Sequence, residues 1–135
     1  MNSTAEDIKT ILEYYLDDSS GATLFDIFIG REPSEPNNSI TIFETQGFPP
    51  QLTYDRTEKY DYPSVQIRIR ANSYTEGYQQ GLQVRDTLHG RANETWGGTY
   101  YSVIYCVNGP LLLDYDKNQS PRFILNFNIQ RREIV

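Results

Sequence analysis

The stretch from Tyr62 to Gly90 constrains the fold of this chain more than any other. It reads Tyr-Pro-Ser-Val-Gln-Ile-Arg-Ile-Arg, a short connector, then a segment closing on Arg-Asp-Thr-Leu-His-Gly. Val65, Ile67 and Ile69 alternate with Gln66, Arg68 and Arg70, the period of a strand with one apolar face and one polar, basic face. Ser73 and Glu76 stand in capping-box spacing, and Gly90 supplies a C-terminal stop, so a helix follows the strand. No nucleophile, ligand cluster or phosphate loop sits inside this unit. It is built for packing and pairing.

On a helical wheel Tyr74, Gly77, Tyr78, Gly81, Val84, Arg85 and Leu88 share one arc. Gly77 and Gly81 each cost about 1 kcal/mol of helix propensity relative to alanine. Their place on the apolar arc predicts that they let the helix lie close on a sheet, with Tyr74 and Tyr78 filling the flanks. Arg85 is the anomaly of that arc: a guanidinium there must be ion-paired or reach an edge or interface.

The rest of the chain supplies the partners of this unit. Ser3 and Glu6 repeat the capping-box spacing, and Ile8, Ile11, Leu12, Tyr15 and Leu16 form one stripe of an amphipathic first helix. Asp17-Asp18-Ser19-Ser20-Gly21 ends it, with two acids opposing the helix dipole, an end expected to fray or meet a cation. Leu24–Ile29 and Ile40–Glu44 read as strands around a Pro/Asn-rich loop at 30–38. Gln46-Gly47-Phe48-Pro49-Pro50 is expected to break the second strand and open a long loop or arm over about 46–61. Thr99–Val107 is apolar on both faces, as in a covered strand, and Leu111–Tyr115 pairs with Arg122–Arg131 around a polar turn. The order predicts one α+β domain over 1–135: a mostly antiparallel sheet with two main helices packed on one face.

Composition narrows the function. The formal charge is −6, whereas a nucleic-acid binder ordinarily shows a basic excess. Eleven tyrosines suit surfaces that are wet in a monomer and covered in an assembly, or the boundary of a core. Cys106 is the sole cysteine, so no intramolecular disulfide forms, and a cytosolic assembly site is expected. Neither a signal peptide nor a membrane-spanning run is read from the sequence, so a soluble protein with no membrane partner is expected.

The residues that could carry chemistry have structural readings. His89, the only histidine, sits where cations satisfy the last carbonyls of a helix. Cys106 lies in a strand-like run, as an inert thiol does. Asp114, Asp116, Asn118 and Ser120 alternate like the first half of a calcium loop, but Gln119 replaces the sixth-position glycine and Leu125 the twelfth-position glutamate, so a hairpin turn is expected and no metal. No dinucleotide or P-loop spacing occurs, and neither a catalytic residue nor a cofactor is assigned.

Ordered blocks along most of the chain resemble the minor capsid or tail-terminator proteins of long-tailed bacteriophages, the group that includes the lambda tail terminator. They are the amino-terminal helix, Phe28-Ile29-Gly30-Arg31-Glu32-Pro33, Ile40-Thr41-Ile42-Phe43, Gly47-Phe48-Pro49-Pro50, Tyr62 to Arg70, Arg85 to Gly90, and Arg122 to Phe127. The resemblance implies a non-enzymatic virion protein at the head-proximal end of the tail, assembled in the host cytoplasm. It implies a ring, usually a hexamer, that stops tail-tube polymerisation and presents its other surface to the head. The implied partners are further copies of the chain, the major tail tube protein and a head completion or connector protein, with DNA passing through the lumen. Within that reading Arg68, Arg70 and Arg85 are candidates for subunit or tube contacts, and Pro49, Pro50, Tyr54 and Tyr60 for docking through the arm. Another head–tail connector, such as a stopper, and a small domain using His89 with nearby carboxylates stay open as alternatives.

Overall fold

A computed structural model describes residues 1–16, 24–52 and 59–134. Helix α1 spans Thr4–Tyr15, strand β1 Asp26–Ile29, β2 Ser39–Leu52, β3 Lys59–Arg70, helix α2 Tyr74–Leu88, β4 Arg91–Trp96, β5 Thr99–Tyr115 and β6 Pro121–Glu133. The strands form one sheet in the order β1-β2-β3-β6-β5-β4. Among the described residues only β1 and β2 run parallel, and every other neighbouring pair is antiparallel. The architecture is the expected α+β.

Cross-strand register explains the inner face. Ile40, Ile69, Phe123 and Leu112 align across four strands, as do Ile42, Ile67 and Leu125 across three. The row Phe123, Leu125, Phe127 and Ile129 is buried from end to end, as its alternation requires. Ile8, Ile11 and Leu12 of α1 and Val84 and Leu88 of α2 close over this face. Full burial of each such side chain stabilises by about 1.5–3 kcal/mol against exposure.

Both helices begin as their sequences predict. Ser3 Oγ accepts the Glu6 N–H at 3.2 Å, and Ser73 Oγ accepts the Glu76 N–H at 3.2 Å. Glu44 of β2 accepts the Ala5 N–H at 3.3 Å, placing an anion at the positive end of α1. Gly77 and Gly81 meet the sheet. A Cβ on Gly77 would lie 2.6 Å from Phe123 Cε2, and one on Gly81 2.7 Å from Pro110 Cβ. Tyr74 and Tyr78 flank the contact, both rings edge-on to Phe123.

Three expectations change. The loop expected over about 46–61 is strand at 46–52 and 59–61: β2 continues through Gly47-Phe48-Pro49-Pro50, with register irregularities between Thr45 and Phe48 and between Phe48 and Gln51. Irregular register lets an edge segment carry prolines while pairing resumes at Phe48–Tyr62 and Gln51–Tyr60. Thr99–Tyr115 is one strand where two were expected, and it passes Gly109-Pro110 through bulges. It is also covered on neither side at its far end. A strand at 91–96 was not foreseen; it joins β5 through Gly97-Gly98, both at positive φ, the turn that hairpin twist favours. The expected frayed end at Asp17–Gly21 lies outside the described residues.

Candidate functional site

The helices cover one face of the sheet, and the opposite face is open. Its centre is two rows of hydrogen-bonded polar side chains running across the strands. In the first, Arg68 Nε donates to Gln66 Oε1 at 3.0 Å, Gln66 Nε2 to Asn126 Oδ1 at 3.3 Å, and Asn126 Nδ2 to Asn108 Oδ1 at 2.7 Å. In the second, Ser64 Oγ donates to Asn128 Oδ1 at 2.6 Å and Asn128 Nδ2 to the Tyr105 hydroxyl at 3.3 Å. Each row holds its side chains in fixed rotamers through bonds within and between strands. Arg68 also lies over the Phe43 ring, 4.9 Å from its centroid.

Beside these rows Phe48, Pro49, Tyr62, Val103 and Tyr105 line an open groove of about 630 Å³. Phe48 is 68 % exposed there, unusually open for a phenylalanine. Pro49 therefore lies on the groove wall, Pro50 within β2, and Tyr60 in β3 opposite Gln51 and Arg132. Tyr54 lies outside the described residues.

The arginines divide. Arg68 belongs to the open face, as its alternation predicts. Arg70, read as its twin, is buried at 7 % exposure and turned to the 31–38 loop. Its guanidinium donates to the carbonyls of Pro33 at 2.6 Å, Pro36 at 3.0 Å and Asn37 at 3.0 Å, and pairs with Glu32 at 3.5 Å. Arg70 is a latch on that loop, which removes it from any contact surface of the folded monomer. Glu32 also pairs with Arg122 at 2.9 Å, and Arg122 grips Asp114 through two bonds of 2.6 and 2.5 Å. Those bonds hold the Asp114 carboxyl below the ordinary carboxylate range. Arg85 resolves its anomaly at the surface, bonding Asp86 at 3.2 Å in an exposed pair close enough to Cys106 to act on its thiol.

His89 serves the sheet as well as the helix. Its N–H caps α2 on the Arg85 carbonyl at 2.8 Å, while its Nδ1 accepts the Cys106 N–H at 2.9 Å. The expected side-chain donation to helix carbonyls is thus replaced by acceptance from β5. Cys106 is half-buried; burial pushes its thiol up, against a smaller pull from Arg85. Asp116 Oδ1 accepts the N–H groups of Asn118 and Ser120, both at 2.9 Å, making the 116–120 segment the expected hairpin turn.

Sequence reasoning missed one buried cluster. Tyr101 donates its hydroxyl proton to Asp7 Oδ2, Arg131 donates to the Tyr101 oxygen at 3.4 Å and to the Asn2 carbonyl at 3.1 Å, and Asn2 Nδ2 bonds Asp7 Oδ1 at 3.3 Å. Burial, with Asp7 next, raises the Tyr101 pKa, which keeps the phenol a donor. Asp7, Tyr101 and Arg131 are buried and Asn2 closes the cluster from the exposed side, so it ties the start of α1 to β5 and β6. Its partners lie 94 and 124 positions apart along the chain (Asp7 to Tyr101 and Asp7 to Arg131), beyond the reach of any local pattern.

No curated protein matches the sequence. A family model described as bacteriophage tail terminator protein matches residues 11–132, from the first helix through nearly all of β6. The chain belongs to the bacteriophage tail terminator family, and its role is that of a structural component of the phage tail.

Proposed function

We propose that copies of this chain close into a ring on the last disc of the tail tube, end its polymerisation there, and present the far side of the ring to the head. The observation that carries this reading is the open sheet face. Its ordered rows from Arg68 to Asn108 and from Ser64 to Tyr105 lie beside an aromatic groove at the root of the β2–β3 extension. Such a face is pre-organised, broad and shallow, the form suited to another protein surface and ill-suited to enclosing a small substrate.

The tail tube protein is the proposed partner of this face, with Arg68, Pro49 and Tyr60 as contact residues. A head completion or connector protein takes the opposite side. The net charge of −6 lets DNA traverse the lumen without adhering, provided acidic groups face it. Native mass measurement tests the reading, on the chain alone and mixed with tube protein. A closed multimer that binds tube protein is expected. A chain that stays monomeric in both samples contradicts it.

A further inference from the structure

Beyond Ile104 the outer edge of β5 has no strand beside it among the described residues. β4 pairs with β5 only over Thr99–Ile104, and the His89 side chain on Cys106 N–H ends the ladder. From there to Leu113 the edge carries no charged residue: Cys-Val-Asn-Gly-Pro-Leu-Leu-Leu. Tyr105, Val107, Leu111, Leu112, Leu113 and Tyr115 are each between 42 % and 52 % exposed. Proteins that leave such an edge in water defend it with charges, proline or bulges. This one has Pro110 and bulges in the middle of the edge, but leucines and no charge beyond them as far as Leu113.

The apolar surface continues past the strand. Leu112 pairs with Phe123, on which Tyr74 and Tyr78 rest, themselves 51 % and 36 % exposed. These eight side chains lie on both faces of the sheet around one edge, so a strand added to that edge brings cover to either side of it, and apolar exposure of this extent marks an interaction site.

At the opposite end of the sheet lies another edge with no strand beside it among the described residues. There β1 pairs with β2 alone, and Asp26 is the one charge of its four residues. The Gly30 N–H turns toward β2, onto the Ile42 carbonyl. By alternation the Ile29 N–H faces outward, and its side chain is 41 % exposed.

We infer that the β5 edge of one copy receives the β1 edge of the next, continuing the sheet from subunit to subunit. The two edges are unlike, so the contact is heterologous, and it repeats until rotation closes it. The inference rests on the ring reading above and supplies its subunit contact.

Two edge variants and their mixture test it by native mass. Val107→Lys with Leu113→Lys charges the β5 edge, and Ile29→Pro removes the outward N–H of β1. Circular dichroism checks folding, and Val107→Lys alone replaces the double variant should that unfold. Wild type is expected as a multimer, and each variant alone as a folded monomer. An equimolar mixture is expected as a 1:1 dimer, because one intact β5 edge and one intact β1 edge remain. A multimeric wild type whose two variants keep its mass overturns the edge contact and leaves the ring standing. Multimers lost in the β5 variant but kept by Ile29→Pro overturn the heterologous pairing. A monomeric wild type overturns both readings.

Discussion

At the scale of single residues, the Tyr101 hydroxyl and the Arg70 guanidinium do work that nearby, similar residues do not. Tyr101→Phe keeps the ring and removes the donor to Asp7, leaving a buried carboxylate with Asn2 at 3.3 Å and Arg131 at 4.0 Å. We expect a loss of about 1–3 kcal/mol in denaturant unfolding with the fold retained. Arg68 and Arg70 were indistinguishable in sequence, both on the polar side of one strand. What separates them is the 31–38 loop, which folds over Arg70 and stops short of Arg68. Arg70→Met should therefore cost about 2–3 kcal/mol and speed hydrogen exchange across that loop. Arg68→Glu should leave stability within about 0.5 kcal/mol and weaken tube binding. Equal destabilisation by the two would contradict the division. Asp114 supplies the pH prediction. Its folded pKa is depressed by Arg122, so the stability it adds is present above its ordinary value of 3.8 and is lost as pH falls through the lower folded value. Asp114→Asn should remove that acid-side slope in stability measured from pH 6 downward.

At the scale of elements, the helices and central strands were legible because their signals are local. Ser3/Glu6 and Ser73/Glu76 set both helix starts within one turn, and the two-residue alternation of Val65–Ile69 and Phe123–Ile129 set register and inner face. The edges were not legible. Arg91–Trp96 has no apolar alternation because β4 is half in water on both faces; the Gly97-Gly98 turn before a strong strand was the signal for it. The β2 extension hides behind Pro49 and Pro50, residues that argue against a strand unless its ladder is irregular, as it is here. The α2–sheet contact gives a test with competing terms. Gly77→Ala gains about 1 kcal/mol of helix propensity, but its Cβ would meet Phe123 at 2.6 Å, with Tyr74 and Tyr78 packed on that ring. Overpacking of this kind costs about 1–3 kcal/mol. Destabilisation should win, and a raised Tm would show that Phe123 can move aside.

At the scale of the whole molecule, one sheet face is closed by helices and the other left as an ordered, open surface, with unlike edges at either end that have no strand beside them among the described residues. Among the described residues, chemistry-bearing side chains serve the fold: His89 and Cys106 finish a ladder, Asp114 and Asp116 shape a hairpin, and Asp7 and Tyr101 are buried inside. The open face is the surface proposed for recognition. The family was readable from ordered blocks of sequence, whereas the surfaces were not, because an open edge is defined by what fails to pair with it. The central claim is termination, and electron microscopy of tubes grown from tube protein with limiting amounts of labelled chain tests it most directly. The account predicts shorter tubes, each carrying label as one ring at a single end. Label scattered along the walls, or tube lengths unchanged by the chain, would contradict it.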